Sequence, residues 1–167
     1  MKKTFKTLAL AVVLMPSLML TSCNPMDDGS FVEPITLGEK VGGQWYLTSM
    51  TQSDETTGGT ANLTNVLNFD TFVINLNTDE ANRPTTFSVE GSAPKLLPAS
   101  GTWRMDYDFT KSDGTASRVL LESDGTTTAL SVTAVPGNER TLGLRLIRTS
   151  NGQPIVSYTY QLTQNAE

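Results

Sequence analysis

The sequence predicts an all-β domain of eight antiparallel strands, and three observations carry that expectation. From Val41 onward, short runs rich in Thr, Val, Leu, Ile and aromatic residues alternate apolar with polar positions. Gly, Asn and Asp separate these runs at close intervals and supply the backbone freedom that tight turns require. No stretch of ten or more residues carries the apolar stripe of an amphipathic helix. Patterning alone fits a closed barrel or a β-sandwich, since both present one apolar face per strand.

In chain order, strands are expected at residues 44–52, 71–77, 85–90, 102–109, 116–123, 126–135, 140–148 and 154–163. The clearest alternation lies in 102–109. Trp103, Met105, Tyr107 and Phe109 share one face there, and Arg104, Asp106 and Asp108 share the other. Requiring inward residues to face inward residues then sets the registers. Ser112-Asp113-Gly114 as a three-residue loop pairs Met105 with Leu121 and Tyr107 with Val119, and it places Arg104 opposite Glu122 and Asp108 opposite Arg118. Asp124-Gly125 reads as a two-residue loop that sets Val119 against Leu130 and Ser117 against Val132. Ser150-Asn151-Gly152 reads as a three-residue loop pairing Leu146 with Val156, Leu144 with Tyr158 and Leu142 with Tyr160. Gly114 and Gly152 are expected at positive φ. The segment 52–70 is Thr/Asn-rich and contains Gly58-Gly59, which suggests a loop. Its Leu63, Val66, Leu67 and Phe69 suggest a short helix or an irregular cover over one end of a barrel.

The N-terminus carries a different signal. Lys2, Lys3 and Lys6 precede an apolar run over 8–20 that closes with Leu20-Thr21-Ser22-Cys23. The run is broken by Pro16 and Ser17 and falls short of the ~20 residues that a spanning helix needs. This is the pattern of an export signal ending in a lipobox, so residues 1–22 are expected to be removed and Cys23 to carry lipid. The competing reading is an ordinary thiol. As the sole cysteine of the chain, however, Cys23 has no intrachain partner for a disulfide. Residues 23–40, with Pro25, Asp27, Asp28, Gly29, Ser30 and Pro34, read as a flexible tether, and 41–167 as one domain.

Loss of the signal removes three lysines and leaves nine basic against 17 acidic side chains, a formal charge of −8. A phosphate backbone is a poor partner for such a surface, so no nucleic acid is expected. The chain contains no histidine, and lipidation consumes its only thiol. Ser-His-Asp and Cys-His catalysis and the usual zinc and copper sites therefore lack their groups. Phosphate-binding and dinucleotide-binding glycine motifs are absent as well. The expectation is a non-enzyme with no cofactor and no metal. Asp106 and Asp108 lie on one face with Cα atoms ~6.7 Å apart from the strand rise. That spacing touches the glycosidase range, but Arg104 and Arg118 beside them favour a solvated, salt-bridged face. Asp54-Glu55 and Asp79-Glu80 read as loop acids without the spacing of a calcium loop.

The lipobox, the short acidic tether, Gly43-Gln44-Trp45 at the first strand, Gly101-Thr102-Trp103 in mid-chain and the Asp-Gly and Asn-Gly turns belong together. Over residues 41–163 they resemble the lipocalin-like lipoproteins of Bacteroidota. The resemblance implies an eight-stranded up-and-down barrel in which Trp45 closes one end beneath an arginine, with Arg140, Arg145 and Arg148 as candidates. Asn24 after the cysteine, in place of a retaining Asp, implies an outer-membrane destination, and Asp27 and Asp28 hint at export to the surface. Trp45, Trp103, Tyr107, Tyr158 and Tyr160 are then the candidate ligand-binding residues, with core packing as the alternative role. The function expected is that of a membrane-anchored binding lipoprotein for a small apolar or carbohydrate ligand. The alternative is a protein-interaction or protease-inhibitor lipoprotein acting through loops or a sheet edge.

Overall fold

A computed structural model of the protein describes residues 33–164. The expected signal peptide, Cys23 and most of the expected tether lie outside the described residues. The elements in order are α1 (Leu37–Val41), β1 (Gly43–Asp54), β2 (Thr60–Asn62), a single 3-10 turn (Phe69–Thr71), β3 (Val73–Thr78), β4 (Pro84–Glu90), β5 (Ser100–Met105), β6 (Arg118–Ser123), β7 (Thr126–Ala134), β8 (Thr141–Ser150) and β9 (Gln153–Thr163). From β3 to β9 each strand pairs antiparallel with the next, and β1 pairs with both β3 and β9. The β1–β9 ladder, from Tyr46 opposite Thr163 to Asp54 opposite Val156, closes eight strands into a barrel and excludes the sandwich. Closure leaves little free strand edge. The ninth strand, β2, adds only Thr60–Asn62 to the edge of β1 above its pairing with β3.

The barrel has two ends. At the base lie α1, the start of β1, the β3–β4 turn, the β5–β6 and β7–β8 connections and the end of β9. At the mouth lie the 55–72 and 91–99 segments and the β6–β7 and β8–β9 turns. α1 falls within the stretch read as tether. It forms because the Thr36 hydroxyl accepts from Glu39 N–H at 3.1 Å, and because its buried Leu37 and Val41 join the core. The indole of Trp45 donates to the Val41 carbonyl at 2.7 Å, so the base is sealed by helix backbone. Arg145 and Arg148, two of the arginines expected to cover Trp45, are engaged elsewhere, by Glu55 and by the Leu96 carbonyl.

The interior is apolar and filled through the base and middle. Trp45, Met50, Ile74, Leu76, Leu121, Leu130, Leu142, Leu144 and Leu162 are all essentially inaccessible, and Phe87 and Trp103 pack beside them. Gly101 stands second in β5 because no side chain fits there. A Cβ would stand 2.0 Å from the Glu122 carbonyl oxygen and 2.9 Å from the Phe87 ring.

Two expected hairpins differ in register by two residues, which preserves the inward face. β5 pairs Trp103 with Leu121 and Met105 with Val119, then ends at Met105. The chain leaves the sheet there because the Asp106 carboxylate takes over the ladder, accepting from Arg118 N–H at 2.7 Å. Beyond it, the Asp108 carbonyl accepts from Leu37 N–H and holds the start of α1. The connection is therefore the twelve residues 106–117, not a three-residue loop, although Gly114 does adopt φ +76°. Tyr107 and Phe109 consequently lie on the outside, and Asp108 does not pair with Arg118.

The β8–β9 hairpin turns on two residues, Asn151 at φ +52° and Gly152 at φ +76°. Such a turn would direct the tyrosines outward, except that Ile155 is an extra residue between Pro154, opposite Thr149, and Val156, opposite Arg148. The bulge restores the face, so Leu146 meets Tyr158, Leu144 meets Tyr160 and Leu142 meets Leu162. At β6–β7 the two-residue Asp124-Gly125 turn and the Val119–Leu130 pair are as expected, and Val132 N–H bonds the Ser117 carbonyl.

Candidate functional site

The five candidate aromatics do not converge. Trp45 and Trp103 are 0 and 2% exposed, and each indole N–H is spent on a backbone carbonyl, that of Val41 or of Asn77, at 2.7 Å. They are core. Tyr107 is 55% exposed at the base. Tyr158 and Tyr160 remain, both on the inward face of β9.

Toward the mouth this inward face becomes polar. Gln52 lies opposite Tyr158 across the β1–β9 ladder, and Leu146 lies opposite it across β8–β9. Arg148, two residues beyond Leu146 on the same face, reaches over to donate to the Leu96 carbonyl at 2.7 Å. Tyr160 is 1% exposed and stacks at a tilt on Phe72, with ring centroids 5.1 Å apart. Its hydroxyl is buried without a protein partner, the situation in which a buried polar group costs most. Burial pushes the Tyr160 pKa well above the usual phenol range, opposed by the nearby Arg148 charge. The phenol therefore stays protonated and can donate.

Two segments roof this region. In 63–72 the chain bulges from the edge of β1, with Leu47 N–H bonding the Phe72 carbonyl and Leu63 N–H bonding the Met50 carbonyl. This delivers Phe69 and Phe72 to the core. The 52–70 segment, expected to cover one end of a barrel, does so through Phe69, with Phe72 just beyond it, while Val66 and Leu67 stay exposed. In 91–99, Ser92 N–H bonds the Thr71 hydroxyl, Val89 N–H bonds the Ala99 carbonyl, and Leu97 is buried. A cleft of about 60 Å³ opens under this loop, between Phe72, Val89, Ala93 and Leu97.

Four of the candidate carboxylates, Asp106, Asp54, Glu55 and Asp79, have structural partners. Asp106 is held between Lys111 at 2.7 Å and Arg118 at 3.0 Å. Burial works to raise its pKa, but the Lys111 ammonium and the Arg118 N–H groups outweigh it and hold the carboxyl at about 2. Asp54 accepts from Thr56 and Thr57 and closes its turn. Glu55 accepts from Ser157 and Arg145, both of which lower its pKa. Asp79 caps its turn and pairs with Arg83. Among the described residues no three His, Cys, Asp or Glu side chains gather as a metal site, and no helix is long and apolar enough to cross a membrane.

Arg148 and Gln52 were not among the expected site residues. Arg148 had a readable signal, since it continues the phase of Leu142, Leu144 and Leu146. Gln52 had none, because the irregularity between Leu47 and Ser49 changes the phase of β1. Taken together, fold and mouth define a closed eight-stranded antiparallel barrel of lipocalin-like architecture with one added strand. Residues 21–163 match the family described as a domain of unknown function (DUF5004), and the chain belongs to that family. No curated protein matches the chain.

Proposed function

We propose that this chain is a non-enzymatic extracytoplasmic binding lipoprotein, anchored to the outer membrane through Cys23, with its ligand site at the mouth. The observation that carries the reading is the buried, unpartnered Tyr160 hydroxyl, with Arg148 and Tyr158 beside it in an otherwise apolar barrel. A small ligand with an apolar body and an acceptor group, a sugar ring among them, would satisfy that hydroxyl and the arginine. The cleft of about 60 Å³ is well below the ~300 Å³ of a ligand pocket, so entry requires the 91–99 loop to lift. Arg148 would then exchange the Leu96 carbonyl for the ligand. The complete absence of histidine supports a binding role over catalysis.

The test is thermal denaturation against panels of monosaccharides, disaccharides and fatty acids. A true ligand at a hundredfold excess over its Kd adds about 2.7 kcal/mol of stability, and Tyr160→Phe and Arg148→Met should reduce that gain. Absence of stabilisation by every compound, or gains untouched by both substitutions, would refute the mouth as the site.

A second reading, recognition of a protein by strand addition, has one supporting feature. Thr60, Ala61 and Asn62 of β2 are all exposed at the edge of the sheet. A partner recovered by the native chain and lost with Ala61→Lys would favour it.

A further inference from the structure

We propose that the base of the barrel is a bilayer-contacting face, so that the mouth points away from the membrane. Ile35, Tyr107, Phe109 and Val135 are 56, 55, 43 and 43% exposed, and all four lie at this end. The bond from Leu37 N–H to the Asp108 carbonyl, 2.7 Å long, brings the segment bearing Ile35, just before α1, against the Tyr107–Phe109 segment. The same segment is tied to β7. Ser117 donates its hydroxyl to the Phe109 carbonyl and its own carbonyl accepts from Val132, three residues before Val135. The 106–117 connection is therefore a fixed platform, closed by the Asp106 ion pairs with Lys111 and Arg118, that holds its aromatics outward.

The occupant follows from the chain. Twelve residue steps separate Ile35 from Cys23, a span of at most ~40 Å when fully extended. A lipid on Cys23 therefore confines the barrel to the bilayer surface by a tether that enters at the base. This step rests on the anchor reading above. Tyrosine and phenylalanine with aliphatic neighbours suit the headgroup boundary, where a ring is half immersed. Charge is not what draws this face down, since Glu33, Glu39, Asp108, Asp113 and Glu139 stand around it beside Lys40 and Arg140. The contact is therefore apolar insertion, and it persists at high salt.

The experiment uses the full chain purified from membranes and reconstituted in vesicles of phosphatidylethanolamine and phosphatidylglycerol. Backbone hydrogen exchange is compared with that of a Cys23→Ser chain in buffer. Exchange over residues 107–113 should slow several-fold on the vesicles while residues 150–153 at the mouth remain unchanged. The combined Ile35→Ser, Tyr107→Ser and Phe109→Ser chain should lose that protection yet stay membrane-bound, with its melting temperature preserved. Equal exchange at both ends, or protection first at the mouth, overturns the proposal. Protection in the lipid-free chain that grows with protein concentration also overturns it, by showing that a second copy covers the face. Recovery of the full chain in the soluble fraction, read before any vesicle is made, overturns the anchor itself, so the two failures are distinct.

Discussion

Arg148 of β8 donates to the Leu96 carbonyl at 2.7 Å and so joins the rim of one barrel wall to the loop that roofs the mouth. The loop is otherwise held at its ends, by Thr71 and by the Val89–Ala99 bond, and by burial of Leu97. Arg148 is thus its tie near the middle. Replacing it with Ala should leave global stability nearly unchanged, within about 1 kcal/mol, because the pair is exposed. Amide exchange over 92–98 should accelerate while the base is unaffected. Unchanged exchange there would mean that Leu97 packing alone holds the roof.

Tyr160→Phe removes a hydroxyl that is buried without a partner and keeps the ring that stacks on Phe72. The variant is expected to be more stable than the native chain by about 1 kcal/mol in urea unfolding, since leaving a buried polar group unsatisfied costs ~1–3 kcal/mol. A loss of stability would instead identify a trapped partner for the hydroxyl, such as an internal water.

How far the sequence could be read depended on where local rules stopped. The eight barrel strands were legible because each carries its own alternation, and Val119 opposite Leu130 followed from a turn with one geometry. The β5–β6 connection was not. Tyr107 and Phe109 continue the alternation of Trp103 and Met105, and nothing local announces that Asp106 will cap the ladder or that α1 will claim the Asp108 carbonyl. Tertiary bonds override periodicity there. At the mouth, Tyr158 and Tyr160 were legible as inward residues. Their separation from Trp45 and Trp103 depends on which indoles find carbonyls, a contact between distant segments.

Asp106 gives a pH prediction with a definite sign. Its folded pKa of about 2 lies below the ordinary value of 3.8, so the unfolded chain binds the proton more readily. The stability it contributes is full above pH 4 and is lost as the pH falls from about 4 through 2. Asp106→Asn should therefore be less stable at neutral pH by about 1–2 kcal/mol, with the gap to the native chain closing below pH 4. Asp54, Glu55, Asp79 and Asp113 are also held low, but both chains share them, so the difference isolates Asp106. A gap that stayed constant down to pH 2 would show that the Lys111 and Arg118 pairs do not hold the charge.

The bulge at Ile155 decides which face of β9 turns inward. Ile155 is 42% exposed and contributes nothing to the core, yet it is the extra position that lets a two-residue turn coexist with Tyr160 facing inward. If Ile155 entered the ladder opposite Arg148 instead of bulging, every later partner would shift by one. A shift by one would turn Val156, Tyr158, Tyr160 and Leu162 toward solvent and Ser157, Thr159 and Gln161 into the core. Deleting Ile155 should instead leave β9 in register, because Val156 then follows Pro154 directly and still meets Arg148, whereas deleting Thr159 inside the ladder should abolish cooperative folding. Deleting Gly59 from the exposed turn before β2 is the control, and it should leave the barrel folded. Loss of the cooperative urea transition on deletion of Ile155, or a native-like transition for the Thr159 deletion, would show that the bulge is not what sets the direction of the tyrosines.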